Sequence, residues 1–189
     1  GVKALCEGIR QAPQLTYINF SNNKLTESAC MALGQLLTHF CVRRQSEIWE
    51  HSLRGRIAEV TEGCGGLRFI DLSGNERIKD AGAAEIFHGL EDDNWVTDLK
   101  LRSCGLGDLS GRNLHTLLLG TTALRTLDIG GNDIGTHLLQ AMQRLTYKSN
   151  THSIDLIFES PQSSSTTNSK KAKKTTSPPT KQNNISNNN

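Results

Sequence analysis

The chain has 189 residues, 35% of them hydrophobic, a negative mean hydropathy and a formal net charge of +2. That charge is split: residues 1–158 hold sixteen Lys and Arg against eighteen acids, whereas residues 159–189 hold five lysines and one acid, Glu159. The longer part is too near neutral for nucleic-acid binding by charge, and no apolar run approaches the roughly 20 residues that cross a bilayer. Neither nucleic acid nor membrane is therefore expected as a partner.

Val2, Ala4, Leu5, Cys6 and Ile9 at the start have helical spacing. They read as the helix half of a strand–helix unit, so a longer array is expected upstream. A frame then recurs. It runs Leu15, Ile18, Phe20, Asn23; Leu67, Ile70, Leu72, Asn75; Val96, Leu99, Leu101, Cys104; and Leu124, Leu127, Ile129, Asn132. A degenerate copy is read from Thr151, with Ile154 and Leu156. The starts lie 52, 29, 28 and 27 residues apart. This frame and period are those of leucine-rich repeats. One apolar edge per unit cannot be buried alone, so the copies must stack into a solenoid over residues 1–158.

Within a unit, the central residues form a short strand with alternate side chains in and out. The Asn or Cys that follows turns the chain, and a helix comes next. The helices are predicted from Ala29, Leu33, Leu36, Leu37 and Phe40; from Ala81, Ala84, Ile86, Phe87 and Leu90; from Leu114, Leu117 and Leu118; and from Leu138, Leu139, Met142 and Leu145. Thr26, Asp80, Asp108 and Thr136 have the character of N-caps for them. The 52-residue gap holds no second strand frame. Residues of about 41–64 instead read as a helical insertion, with Trp49, Leu53, Ile57 and Val60 on one side and a break at Gly55. Gly63, Gly65 and Gly66 close it.

From Glu159 to Asn189 no aromatic residue occurs, and Ser, Thr, Asn, Lys and Pro dominate. Such a segment buries too little to offset its ordering entropy and is expected to be a disordered tail. Lys170, Lys171, Lys173 and Lys174 form a basic cluster within it, readable as an import signal or as plain solvated charge. Five cysteines without Cys-x-x-Cys spacing, and no signal peptide, fit a reducing intracellular compartment.

Catalytic patterns are missing from the sequence. The six histidines are scattered without metal spacing, and no Gly-x-Ser-x-Gly elbow is present. Gly105, Gly107 and Gly111 read as the turn into a helix, because no Gly-Lys-Ser/Thr follows. No enzyme activity, metal, cofactor or small-molecule substrate is expected. Binding residues are easier to nominate. Arg43, Arg44, Trp49, Arg54 and Arg56 place four arginines and a tryptophan in the insertion, the residue types enriched at interface centres. The alternative is that Trp49 and Leu53 pack the insertion down while the arginines pair with Glu47, Glu50 and Glu59. Tyr17 and Phe69 are aromatic at outward strand positions, beside a row of Asn19, Asp71, Lys100, Asp128 and Asp155 on the expected concave face. Their own row continues through Asp98, Thr126 and Ser153.

The repeat length and Asn/Cys alternation resemble the ribonuclease-inhibitor-like subclass, an α/β horseshoe with strands inside and helices outside. The run Arg43-Arg44-x-x-Glu47-x-Trp49-x-x-Ser52-Leu53-Arg54-x-Arg56, followed by Gly66-Leu67-Arg68, is similar to the insertion of the centrosomal protein of 78 kDa family. So are Leu99-x-Leu101-x-x-Cys104-Gly105-Leu106 and Leu127-Asp128-Ile129, and the likeness covers roughly residues 1–145. The resemblance implies an adaptor at the centriole or ciliary basal body. It also implies a role in cilium assembly and partners among centriolar proteins and a ubiquitin ligase. The family's coiled coil has no counterpart here. Two rival readings come from the same repeat subclass: a GTPase-activating regulator, and the recognition segment of an immune-type receptor.

Overall fold

The computed structural model describes residues 1–55, 65–120, 123–148 and 154–158. Helix α1 (Val2–Arg10) leads into β1 (Tyr17–Asn19) and α2 (Glu27–Leu53). Then follow β2 (Phe69–Asp71), α3 (Lys79–Leu90), β3 (Asp98–Lys100), α4 (Asp108–Gly120), β4 (Thr126–Asp128), α5 (Thr136–Lys148) and β5 (Asp155–Ile157). The strands form one parallel sheet in chain order, β1-β2-β3-β4-β5. Each of the helices α2 to α5 is the crossover between neighbouring strands, as parallel pairing requires.

Period-two alternation explains the strands. The central residues Ile18, Ile70, Leu99 and Leu127 are buried, and their neighbours on either side point away from the core. Register pairs Tyr17 with Phe69, Phe69 with Asp98 and Asp98 with Thr126, and likewise Asn19, Asp71, Lys100 and Asp128. The two outward rows read from the sequence are thus real rows up to β4. At β5 the reading needs correction. Leu156 pairs with Leu127, and Asp155 pairs with Thr126 rather than extending the row of Asp128, whose partner is Ile157. The last frame sits two residues later than its apolar pattern suggested; Thr151 and Ser153 lie outside the described residues.

The helices bury the expected face, with Leu33, Leu36, Leu37 and Phe40 of α2, Ile86, Phe87 and Leu90 of α3, and Leu114, Leu117 and Leu118 of α4 in the core. Ala81 is exposed, and Ala83 takes the inward place. Helices α2 and α3 approach at Gly34 and Gly89: a Cβ on Gly89 would lie 2.6 Å from the Gly34 carbonyl oxygen. A Cβ on Gly34 would meet the Glu85 carbonyl, so only glycine lets these backbones touch.

The starts of α4 and α5 are capped from the preceding unit rather than from within. Thr26 precedes α2 but makes no side-chain cap bond, and α3 begins at Lys79 with Asp80 already in its first turn. The Asp80 carboxylate instead accepts from the Gly107 amide (2.8 Å), the Ser110 amide (3.1 Å) and the Ser110 hydroxyl. Asp108 in turn accepts from the Gly135 amide at 2.7 Å. Burial acts to raise the Asp80 pKa, but the three hydrogen bonds outweigh it and the carboxyl titrates below its ordinary value.

Helix α2 is one helix of 27 residues. The segment read as an insertion continues the repeat helix through Cys41 without a break. It stops at Arg54–Gly55, where Gly55 takes φ +69, a left-handed value natural to glycine after a helix. Arg56, Ile57, Val60, Gly63 and the tail from Glu159 lie outside the described residues.

Candidate functional site

Two surfaces and one internal clasp account for the nominated residues that the structure describes; Arg56 lies outside them. The clasp takes Arg44. Four residues beyond Phe40 and three beyond Cys41, its side chain lies on the buried face of α2 and is itself buried. Its guanidinium donates to the Asp93 carboxylate, also buried, and sits 5.5 Å from the ring of Trp95. Asp93 also accepts from the amides of Trp95 (2.6 Å) and Val96 (2.9 Å), and the Trp95 indole N–H donates to the Gly66 carbonyl at 3.2 Å. Arg68 covers the ring from 4.1 Å. Arg44 therefore ties α2 to the loop entering β3 and is no part of an exposed patch. Asp93 and Trp95 escaped the sequence reading, although they sit directly before the Val96 frame.

The first surface is the outer face of α2. Past Arg44 no residue of the helix is buried, although nine more residues follow, about 13 Å at 1.5 Å per residue. Trp49 is 66% exposed, and Ile48, Leu53 and Arg54 are exposed with it. Arg43 is half-buried and pairs with Glu47 at 2.8 Å. Arg43 and Arg44 are thus adjacent in sequence and opposite in environment.

The second surface is the sheet face turned away from the helices. Tyr17 and Phe69 stack with ring centroids 4.6 Å apart and planes 19° from parallel. The Lys100 ammonium lies 5.0 Å over the Phe69 ring, and the Asn19 amide donates to the Tyr17 hydroxyl at 3.3 Å. Further along, Arg102 reaches Asp128 at 3.6 Å. The result is an aromatic step bordered by paired charges.

Chemistry is harder to find. Among the described residues no group of three or more His, Cys, Asp and Glu is placed to hold a metal ion, and no helix is long and apolar enough to cross a membrane. A groove of about 490 Å³ between α3 and α4 is lined by Phe87, His88, Glu91, Asn113 and Thr116 among others. His88 and Glu91 are exposed and face each other at 3.3 Å, while the Thr116 hydroxyl donates to the Arg112 carbonyl of its own helix.

Cys6, Cys30, Cys41 and Cys104 are free and buried. Burial raises all four described cysteines, pushing Cys30 up to about 12 and Cys104 up to about 11. Because folding favours the protonated thiol, the associated stability is full below the ordinary thiol pKa and fades as pH rises toward those values. At pH 8 the native chain is expected to leave Cys30 and Cys104 unlabelled by iodoacetamide over times that fully label the urea-unfolded chain. Peptide mapping by mass spectrometry reads this out, and equal native labelling at either position would contradict it.

Family models of the leucine-rich repeat match residues 67–87 and 122–136, and residues 14–36. The chain is 33% identical over 137 residues to the centrosomal protein of 78 kDa of Homo sapiens, covering 72% of this chain and 20% of that protein. With the Mus musculus protein of the same name it shares 30% identity over 166 residues, 86% of this chain and 21% of the relative. It is 27% identical over 141 residues to the ribonuclease inhibitor of Sus scrofa, 71% of this chain and 31% of the inhibitor. The chain thus spans about a fifth of the length of the two centrosomal relatives.

Proposed function

We propose that this chain, a leucine-rich-repeat protein of the centrosomal protein of 78 kDa family, is a non-enzymatic scaffold that binds proteins at the centrosome. The finer reading places it at the centriole or ciliary basal body, with a part in cilium assembly and in regulating a ubiquitin ligase. The observation that carries the binding role is the outer face of α2, where Trp49 stands exposed on a helix that outruns its own core contacts. A large aromatic held out by a rigid element is ready to bury in a partner with little ordering entropy left to lose. Arg54, exposed at the end of the same helix, supplies charge-assisted bonds to acidic groups, and Arg56 is expected to add to them. The Tyr17–Phe69 step on the sheet face is a second docking point, with Lys100 at its border.

Because Trp49 makes so little contact, Trp49→Ala is expected to shift folding stability by no more than about 0.5 kcal/mol. Combined with Arg54→Glu, it is expected to remove centriolar proteins from material purified with the tagged chain from ciliated cells. Quantitative mass spectrometry on chains matched for circular dichroism gives the answer. Undiminished centriolar partners would move the docking site to the Tyr17–Phe69 step. A chain of either kind that captures none would overturn the scaffold reading.

A further inference from the structure

The outer face of α2 also carries a pattern. Met31, Val42 and Leu53 follow one another at eleven-residue intervals, close to three turns of 3.6 residues. They therefore stand in a nearly straight line of about 33 Å at 1.5 Å per residue. They are 43%, 56% and 71% exposed, and Trp49 lies on the same line, seven residues after Val42 and four before Leu53. This line is opposite the face that buries Leu33, Leu37, Phe40 and Arg44.

Trp49 has the polar Gln35 as its counterpart, but the apolar line Met31–Val42–Leu53 is symmetric about Val42. Met31 and Leu53 are equidistant from it, as are Gln35 and Trp49, and Thr38 and Ser46; all of these are exposed. A helix with that arrangement is complementary to itself run in the opposite direction. Val42 then meets its own copy on the axis, Met31 meets Leu53, Thr38 meets Ser46, and Gln35 lies under Trp49. Such isologous contact is the usual way for identical chains to pair.

We propose that this face is where a second copy of the chain docks, α2 against α2, antiparallel about a two-fold axis at Val42. The proposal rests on the reading of the outer face of α2 as a binding surface and names its partner. The flanking Gln35, Thr38, Gln45, Ser46 and Ser52 are uncharged, and Arg43 next to the axis is paired with Glu47 of its own helix, which limits like-charge repulsion between two copies. A helix pair of this length buries on the order of 1,000 Å² in total, at the lower edge for a specific interface. The dimer should accordingly be weak and dependent on concentration, with a dissociation constant in the micromolar range.

Analytical ultracentrifugation of the full 189-residue chain over a concentration series tests this. The parental chain is expected to pass from monomer to dimer. Val42→Glu, which puts like charges against each other on the axis, is expected to raise the dissociation constant at least tenfold while the circular dichroism spectrum stays unchanged. A pair of double variants checks direction. Met31→Lys with Leu53→Glu in one chain sets opposite charges across both symmetry-related contacts and should still dimerise at low salt; Met31→Glu with Leu53→Glu should not. A monomer at every concentration, or two double variants that behave alike, overturns the second copy as occupant. If centriolar proteins are then still lost with Trp49→Ala/Arg54→Glu, the docking reading of α2 survives without it. A dimer with unchanged centriolar capture by that variant supports the inference and removes the centriolar partner from this face.

Discussion

Asn75→Ala is expected to destabilise the chain by about 3–5 kcal/mol, a large part of the roughly 5–15 kcal/mol that holds a typical domain together. The Asn75 side chain is fully buried. Its oxygen accepts from the amides of Asn23 and Leu25, both at 2.9 Å, and its amide group donates to the carbonyls of Phe20 (2.9 Å) and Leu72 (2.6 Å). Alanine would leave groups of two successive turns without partners where water cannot easily reach, and each such loss costs about 1–3 kcal/mol. Asn132 makes the same set of bonds to Cys104, Leu106, Leu101 and Ile129. Asn23 holds the same frame position but is exposed, and its side-chain amide donates to Ser21. Asn23→Ala is therefore expected to change stability by less than about 1 kcal/mol. Urea denaturation of both variants by circular dichroism decides; near-equal midpoints would mean that the ladder of turns does not depend on this side chain.

Arg44→Ala is the second large effect. Removing one partner of a buried ion pair strands the other, and such losses run to about 3–5 kcal/mol. Asp93 would keep the Trp95 and Val96 amides as donors but lose its only guanidinium among the bonds described for it, and Trp95 would lose one of its two stacked arginines. Arg43→Ala, one residue away, breaks only the partly exposed pair with Glu47 and is expected to cost less than about 1 kcal/mol. The measurement is the thermal midpoint of each variant at matched concentration. An Arg44→Ala chain as stable as Arg43→Ala would show that packing around Trp95, rather than the ion pair, holds α2 to the β3 loop.

That contrast shows how far the site was legible. Arginine and tryptophan content pointed to the right stretch of chain but treated neighbours alike. The helical phase held the missing signal. Leu37, Phe40, Cys41 and Arg44 share one face, and Met31, Val42, Trp49 and Leu53 share the opposite one. Asp93 carried a weaker signal, as an Asx-type residue two positions before Trp95 at the entry to a frame. Its arginine partner is 49 residues away, and nothing local names it.

The repeat frame was enough to determine the leucine-rich-repeat α/β class, the inward strand residues and the register of four strands. Those follow from short-range periodicity: a strand alternates every residue, and a one-residue slip would turn the core outward. The fifth strand shows where that reasoning ends. Ile154, Leu156 and Phe158 are apolar at alternate positions, so a two-residue slide keeps the same face inward, and only pairing of Leu156 with Leu127 picks one register. Capping followed the same rule. Asp80 and Asp108 were recognisable as capping residues, but the helix each one caps belongs to the next unit, 27 residues on. Sequence alone determined what repeats; the tertiary structure decided which partner each polar or charged side chain meets, because hydrogen bonds and ion pairs close between units that only stacking brings together.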